Sequence, residues 1–432
     1  MPSFPKTIEM TSFMGGLNNV LPPERTSNEF LKVAENIDID KSGGIHKRLG
    51  YKLKMGGNIH SLWSDENQMV MVKDNDLVRV APGTYHETLL KSGVGPHPIS
   101  FTNIQESTDV FFTSEALTGR ISHDNVEEVG YVAPTPINLL ETLSGAPMAM
   151  GRYQVTTTYV DSNGKESGSR VAAQIDIQSG SIINVSGMVP STDPAITHTN
   201  IYCSMPNGNI LYLVRTVLNN TTDTTIASVH SEGVTPLKSF NMSPAPHGEI
   251  IGYYRGRIYI VQDNILWYSS PHSFDWFNLQ SDFFQFERTI TEVMPVENGI
   301  WIGTDQGLFY LGGKTPEEMK LNMVESIQVV RGTSTRIMGG YLFIENTPIG
   351  YKWLVTTEKG VFVCFNNGIA LSLTEINVVF PKAGKGVSTF IQEDGINRYL
   401  TLLEGGPKKT PMNNVGASDI VTATIIRNGI TI

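Results

Sequence analysis

A chain of 432 residues has room for two or three domains and a large buried core. Hydrophobic residues make up 40% of it and charged residues only 17%, with 41 glycines and frequent Thr, Val and Ile, the balance of an all-β protein with many turns. The net charge of −10 argues against a nucleic-acid-binding surface. No run approaches the roughly 18 apolar residues of a membrane helix. Met1-Pro2-Ser3-Phe4-Pro5-Lys6 lacks the apolar stretch of a signal peptide, so the expectation is a protein made in the cytoplasm and not exported by a general secretion route.

Residues 1–50 read as an arm. Gly15-Gly16-Leu17-Asn18-Asn19 and Pro22-Pro23 interrupt regular structure. Thr26-Ser27-Asn28-Glu29 has capping-box spacing, which predicts a helix over 30–36 with Phe30, Leu31, Val33 and Ala34 on its apolar face. Ile37-Asp38-Ile39-Asp40 alternates, and Ser42-Gly43-Gly44 turns the chain into Ile45-His46-Lys47-Arg48-Leu49-Gly50-Tyr51.

Beyond the arm one short hairpin recurs: an apolar strand, an acidic or polar turn, then a second strand opening on a large aliphatic residue. It is seen around Asp74-Asn75-Asp76, Ser114-Glu115-Ala116, Asp263-Asn264, Asp305-Gln306-Gly307 and Glu358-Lys359-Gly360, and more weakly around Glu393-Asp394-Gly395. Such a hairpin cannot bury its apolar face alone, so copies must stack. The residues opening the second strands lie 40 apart at Leu77 and Leu117, 42 at Leu266 and Leu308, 53 at Leu308 and Val361, and 35 at Val361 and Ile396. Four-stranded propeller blades take about 40–50 residues each. The gap of 149 between Leu117 and Leu266 holds something more.

Within that gap residues 147–240 change texture. Tyr153–Val160 alternates strictly, Asp161–Ser167 is a polar turn, and further short strands follow at 182–185, 199–203 and 211–214, which suggests a small sandwich. The run Gly151-Arg152-Tyr153…Thr158-Tyr159-Val160-Asp161…Gly164…Glu166-Ser167 resembles a fibronectin type III module. The segments 51–146 and 241–405 together hold 261 residues, which at about 44 per blade makes about six blades. A second short helix is predicted at Thr315-Pro316-Glu317-Glu318-Met319. The tail, 406–432, carries a long strand over Ile420–Arg427 and an Asn428-Gly429 turn; left open, such a strand is an aggregation hazard, so it is predicted to pair with another element or another chain. The expected fold is all-β: an about six-bladed β-propeller with an inserted fibronectin type III-like β-sandwich and extended N- and C-terminal assembly segments.

Chemistry-bearing motifs are missing. There is no HExxH, P-loop, GxSxG or GxGxxG followed by a helix. The nine histidines include no i, i+4 pair, and Cys203 and Cys364 sit in no CxxC motif and read as small buried hydrophobes. Ser273-Phe274-Asp275-Trp276 is similar to the Ser-x-Asp turn of sialidase-type propellers but lacks the Gly and later aromatic that complete it. The aromatic group Trp267, Tyr268, Phe274, Trp276, Phe277, Phe283, Phe284 and Phe286 is expected as core or interface, with a sugar-stacking platform as the alternative. The expectation is no enzyme, no cofactor and no metal.

The stretch from Gly15 to Tyr51 carries a resemblance. Gly16-Leu17-Asn18-Asn19, then Asn36-Ile37-Asp38, then Gly43-Gly44-Ile45 and Arg48-Leu49-Gly50 resemble the opening of the tail nozzle (tail tubular, or hub) proteins of short-tailed bacteriophages. The resemblance implies a virion protein assembled in the host cytoplasm, a homo-hexameric ring below the portal adaptor and beside other tail proteins, meeting the host surface indirectly. Phage DNA would pass its lumen without specific binding. The propeller segments carry 18 basic and 29 acidic residues, and their acids are expected partly to face that channel, offering phosphates few cations. Candidate subunit contacts are Asn18, Asn19 and Arg48 in the arm and Ile420, Thr422, Thr424, Ile426 and Arg427 in the tail. The alternative function is a carbohydrate- or receptor-binding tail component.

Overall fold

The computed structural model describes residues 10, 12–40, 42–48, 50, 52–65, 68–104, 107–232, 234–342, 349–374, 377–380, 382–393, 396–404 and 419–424. Among them the chain is built of strands, and a single 3-10 turn at Pro23–Arg25 is the helical element. Neither predicted α-helix forms. Thr26 ends the 3-10 turn instead of starting a helix, and its hydroxyl turns back to the Pro22 carbonyl at 3.0 Å. Phe30–Leu31 is extended and pairs in parallel with Gly16–Leu17. A helix of seven residues gains too little to resist that pairing. At 315–319 a single turn closes, with the Glu318 and Met319 amides on the Thr315 carbonyl. The strand Lys320–Glu325 then begins at once, leaving no length to propagate a helix.

The chain divides into two compact units, Gly57–Gln285 and Met1–Gly56 with Phe286–Ile432. The first contains three antiparallel meanders. Sheet I is Ile59–Ser64, Met69–Lys73, Asp76–Val80 and Glu87–Lys91. Sheet II is Ser100–Asn103, Val110–Thr113, Thr118–Ser122 and Asn125–Glu128. Sheet III is Ile250–Tyr254, Arg257–Gln262, Ile265–Ser270 and Ser273–Phe277, with Phe283–Gln285 also on its third strand. The second unit continues the series. Sheet IV is Ile290–Val296, Gly299–Thr304, Leu308–Gly312 and Lys320–Glu325. Sheet V is Thr335–Ile337, Lys352–Thr357, Gly360–Cys364 and Ala370–Ser372. Sheet VI is Lys385–Glu393, Ile396–Glu404 and Asp419–Thr424.

In sheets I to V the recurrent hairpin supplies the two central strands. Both faces of the first of these two strands are covered along most of its length, so it reads as a largely apolar run. Phe112 joins Val70, Val72 and Leu77 of sheet I in one core, while its neighbour Phe111 joins Ile258 and Ile260 of sheet III in another. In the second unit Val355, Phe362 and Cys364 face Trp301 of sheet IV, whereas Leu354, Val361 and Val363 face Tyr399 and Leu403 of sheet VI. Each of these side chains contributes about 1.5–3 kcal/mol by leaving water.

The turns joining the central strands come in two chemistries. Asp74 and Asn75 both adopt positive φ, 52° and 72°, the conformation of a two-residue hairpin turn whose twist matches its strands. In sheets II, IV and V a hydroxyl residue closes the turn. Thr304 Oγ1 lies 2.8 Å from the Gly307 amide, the Ser114 hydroxyl accepts from the Leu117 amide, and Thr357 Oγ1 donates to the Gly360 carbonyl.

Between sheets II and III the chain forms two facing sheets, Asn138–Leu143, Ser181–Ser186 and Thr224–Ile226 against Ala173–Ile177, Gly151–Asp161, Ile196–Ser204 and Leu211–Leu218. They share a core of Tyr153, Val155, Ile183, Val185, Ile201 and Cys203. Its first strand, Asn138–Leu143, lies ahead of the 147 expected from sequence. The loop 161–170 bolts this sandwich to its neighbours. Lys165 pairs with Asp275 at 2.9 Å, the Trp276 indole donates to the Glu166 carbonyl at 2.8 Å, and the Gly130 amide donates to Asp275 at 2.8 Å. At Gly168 a Cβ would stand 1.8 Å from the Met242 carbonyl oxygen. Gly168→Ala is therefore expected to cost roughly 1–3 kcal/mol and to open this junction first. Limited proteolysis between the sandwich and sheet III should accelerate; an unchanged cleavage rate and melting temperature would contradict it.

Candidate assembly surfaces

The arm is folded by its own motif. Phe13 donates its amide to the Gly43 carbonyl, and Gly43 has φ +83° with room for no side chain, since a Cβ would meet the Ser12 hydroxyl at 2.0 Å. The Asp40 carboxylate accepts from the Ser42 hydroxyl, His46, and the Gly44 and Ser42 amides, which hold it well below the usual carboxylate range. Arg48 closes the hairpin of Ile37–Ile39 and Ile45–Lys47 by donating to Asp38 at 2.9 Å and to the Ile37 carbonyl at 3.2 Å.

Asn18 and Asn19 attach this arm to the segment following sheet V. Asn18 is buried, accepts from the Val20 and Leu21 amides, and donates to the Asn377 side chain at 3.2 Å. The Asn19 amide N–H donates to the Asn377 carbonyl at 2.9 Å. Its side chain donates to the Val379 carbonyl and accepts from the Val379 amide, each at 2.9 Å, so the carboxamide mimics a strand partner. These two candidate contact residues thus make bonds inside the chain across about 360 residues of sequence.

The tail strand Asp419–Thr424 finds its partner in sheet VI, with Ile420 opposite Leu402, Thr422 opposite Leu400 and Thr424 opposite Arg398. Ile426 and Arg427 lie outside the described residues. Among the described residues the other edge of this strand pairs with no strand.

The aromatic group around sheet III turns mostly upon itself. Trp267 meets Phe283 at 5.0 Å, Tyr268 meets Phe284 at 5.5 Å, and Phe274 meets Phe111 at 5.3 Å. Phe277 and Phe286 are buried. Ser273–Phe277 forms a strand, not the Ser-x-Asp turn that its sequence is similar to. Both cysteines are buried and free, and burial pushes the Cys203 thiol up to about 12 and raises that of Cys364. Among the described residues no group of three His, Cys, Asp or Glu side chains converges on a metal-sized site.

One polar cluster was not anticipated. Glu292, on the first strand of sheet IV, is buried, with Oε1 accepting from the Thr333 amide at 2.9 Å and Oε2 from the Ser334 hydroxyl at 2.6 Å. Burial drives its carboxyl up to about 7 against those hydrogen bonds. The Thr333 carbonyl accepts from Tyr399 at 2.5 Å and from Ser388 at 2.7 Å, and Tyr399 also meets Thr356 at 2.9 Å. The only sequence signal is an acid inside the apolar run 290–296.

No family model and no curated protein matches the chain. Several solved structures align over most of its length at low similarity. BBS1N, from its complex with ARL6DN, is 11% identical with a TM-score of 0.32, covering 81% of this chain and 91% of that one. The extracellular domain of the putative one component system BT4673 of B. thetaiotaomicron is 10% identical with a TM-score of 0.23, covering 85% of this chain and 60% of that one. PorZ of Porphyromonas gingivalis, a surface component of the type-IX secretion system, is 9% identical with a TM-score of 0.23, covering 82% and 51%.

Proposed function

We propose that this chain is a structural, ring-forming component of a bacteriophage tail, of the nozzle or tail tubular class of short-tailed phages, through which the genome leaves. In this reading the six sheets form one propeller, the inserted sandwich is of fibronectin type III kind, and copies associate as a hexamer next to the portal adaptor. The observation that carries it is the combination of a repeated, stacked-sheet body with the Gly16-Leu17-Asn18-Asn19 arm motif, which is bonded to that body by both asparagines. The central hairpins support it further. Asp74, Glu115, Asp263 and Asp305 are exposed at the turns of sheets I to IV, and acids presented there suit DNA that must slide past without sticking. The alternative of a sugar-binding role has less support, because the aromatic side chains of sheet III are spent on one another.

The mass of the intact chain in solution tests the proposal. Native mass spectrometry or light scattering at micromolar concentration is expected to find a ring-sized species, six copies in the hexameric case. A monomer at every concentration, or selective binding on a glycan array, would replace this reading with a binding role. Truncating the tail is a poorer test, since Asp419–Thr424 is itself a strand of sheet VI.

A further inference from the structure

We propose that the arm is exchanged between copies, so that the arm of one subunit seats on the Asn377–Val379 segment of the next. This rests on the ring-forming reading above and names the contact that would build the ring. Among the described residues of the arm no apolar side chain is buried. It is held to the body by the directional hydrogen bonds of Asn18 and Asn19. The arm also leaves Met10, Met14, Val20, Leu21, Val33 and Ile45 exposed. Six large apolar side chains on so small an element call for a cover. The chain leaves the arm through 52–57, which is almost wholly exposed and carries Leu53 at 83% exposure, so the connection is not built into a core.

Those are the conditions for exchange. An identical element docks on an identical site, so the clasp keeps every hydrogen bond whichever copy supplies it, and exchange costs little beyond association. What a swapped arrangement adds is a second subunit beside the exposed apolar side chains. The contact is heterologous, with arm on one copy and acceptor segment on the next, and a heterologous contact that closes generates a ring. The occupant is therefore a second copy of this chain.

Co-expression of two single variants, Asn19→Cys and Val379→Cys, followed by air oxidation tests the exchange. The native thiols are both buried and do not compete. A covalent dimer joining one copy of each variant is the expected result on a non-reducing gel. No such dimer, with the double variant in one chain migrating as an internally bridged monomer, would overturn the exchange. Asn18→Ala with Asn19→Ala gives a second readout: the ring-sized species should be lost while the β-sheet circular dichroism persists. Rings of unchanged mass in that variant would overturn the exchange while leaving the ring-forming reading intact, whereas a monomeric intact chain would remove that reading itself.

Discussion

Trp301→Ala is expected to be the most destabilising single substitution in the second unit. The side chain is wholly buried between sheets IV and V, its indole donates to the Phe365 carbonyl at 2.7 Å, and its ring lies 5.0 Å from that of Tyr310. Removing a buried Trp costs about 3–5 kcal/mol in lost transfer and cavity terms. The Phe365 carbonyl, left without its donor, adds about 1–3 kcal/mol. Against a typical domain stability of about 5–15 kcal/mol, that sum can unfold the unit. Trp301→Phe retains most of the apolar contact and isolates the hydrogen bond, so it should lose roughly 1–3 kcal/mol. Urea titration followed by tryptophan fluorescence and far-UV circular dichroism measures both. A midpoint for Trp301→Ala within error of the parent chain would mean that the sheets are not packed as described.

The stability of the same unit should fall as pH rises toward neutrality, and Glu292 should be the cause. Its carboxyl is raised from 4.5 to about 7 by burial in the folded chain. A raised carboxyl contributes stability that is fully present below the unfolded value and is lost as pH climbs through the folded one. The window is thus about 4.5 to 7, and the span corresponds to at most about 3 kcal/mol. Glu292→Gln should flatten the profile, because an amide has no proton to lose. Its oxygen can take the Thr333 amide and its nitrogen can reach the Ser334 hydroxyl, so the variant should fold. Glu292→Ala should instead lose about 1–3 kcal/mol at every pH through the unpaired Thr333 and Ser334 donors. Urea midpoints between pH 5 and 8 decide the matter. Parallel profiles for the parent and Glu292→Gln would exonerate Glu292.

The hairpins were legible because their signals are local. Met69–Lys73 and Asp76–Val80 are separated by two residues, and Asp74-Asn75 carries the turn chemistry in its own side chains. The same holds at Thr304 to Gly307, where one hydroxyl closes the turn beside it. The arm helix was misread because Phe30 and Leu31 have a better partner in Gly16–Leu17, and capping-box spacing says nothing about a parallel strand upstream. The first sandwich strand was placed late because Asn138–Leu143 pairs with Ser181–Ser186, some 40 residues on. The roles of Asn18 and Asn19 were visible only as a motif, since the atoms they bind belong to Asn377 and Val379.

What the amino-acid order determined alone is the all-β class, the repeat and its turns, because alternation and turn preference act over a few neighbouring residues. Which side of a strand meets which sheet was decided only in three dimensions: Phe111 and Phe112 are chemically identical and adjacent, yet they enter different cores. The buried carboxylate of Glu292 belongs to the same category. Its raised affinity for a proton comes from segments brought around it from as far along the chain as Thr333 and Tyr399, and desolvation is a property of that enclosure, not of the residue.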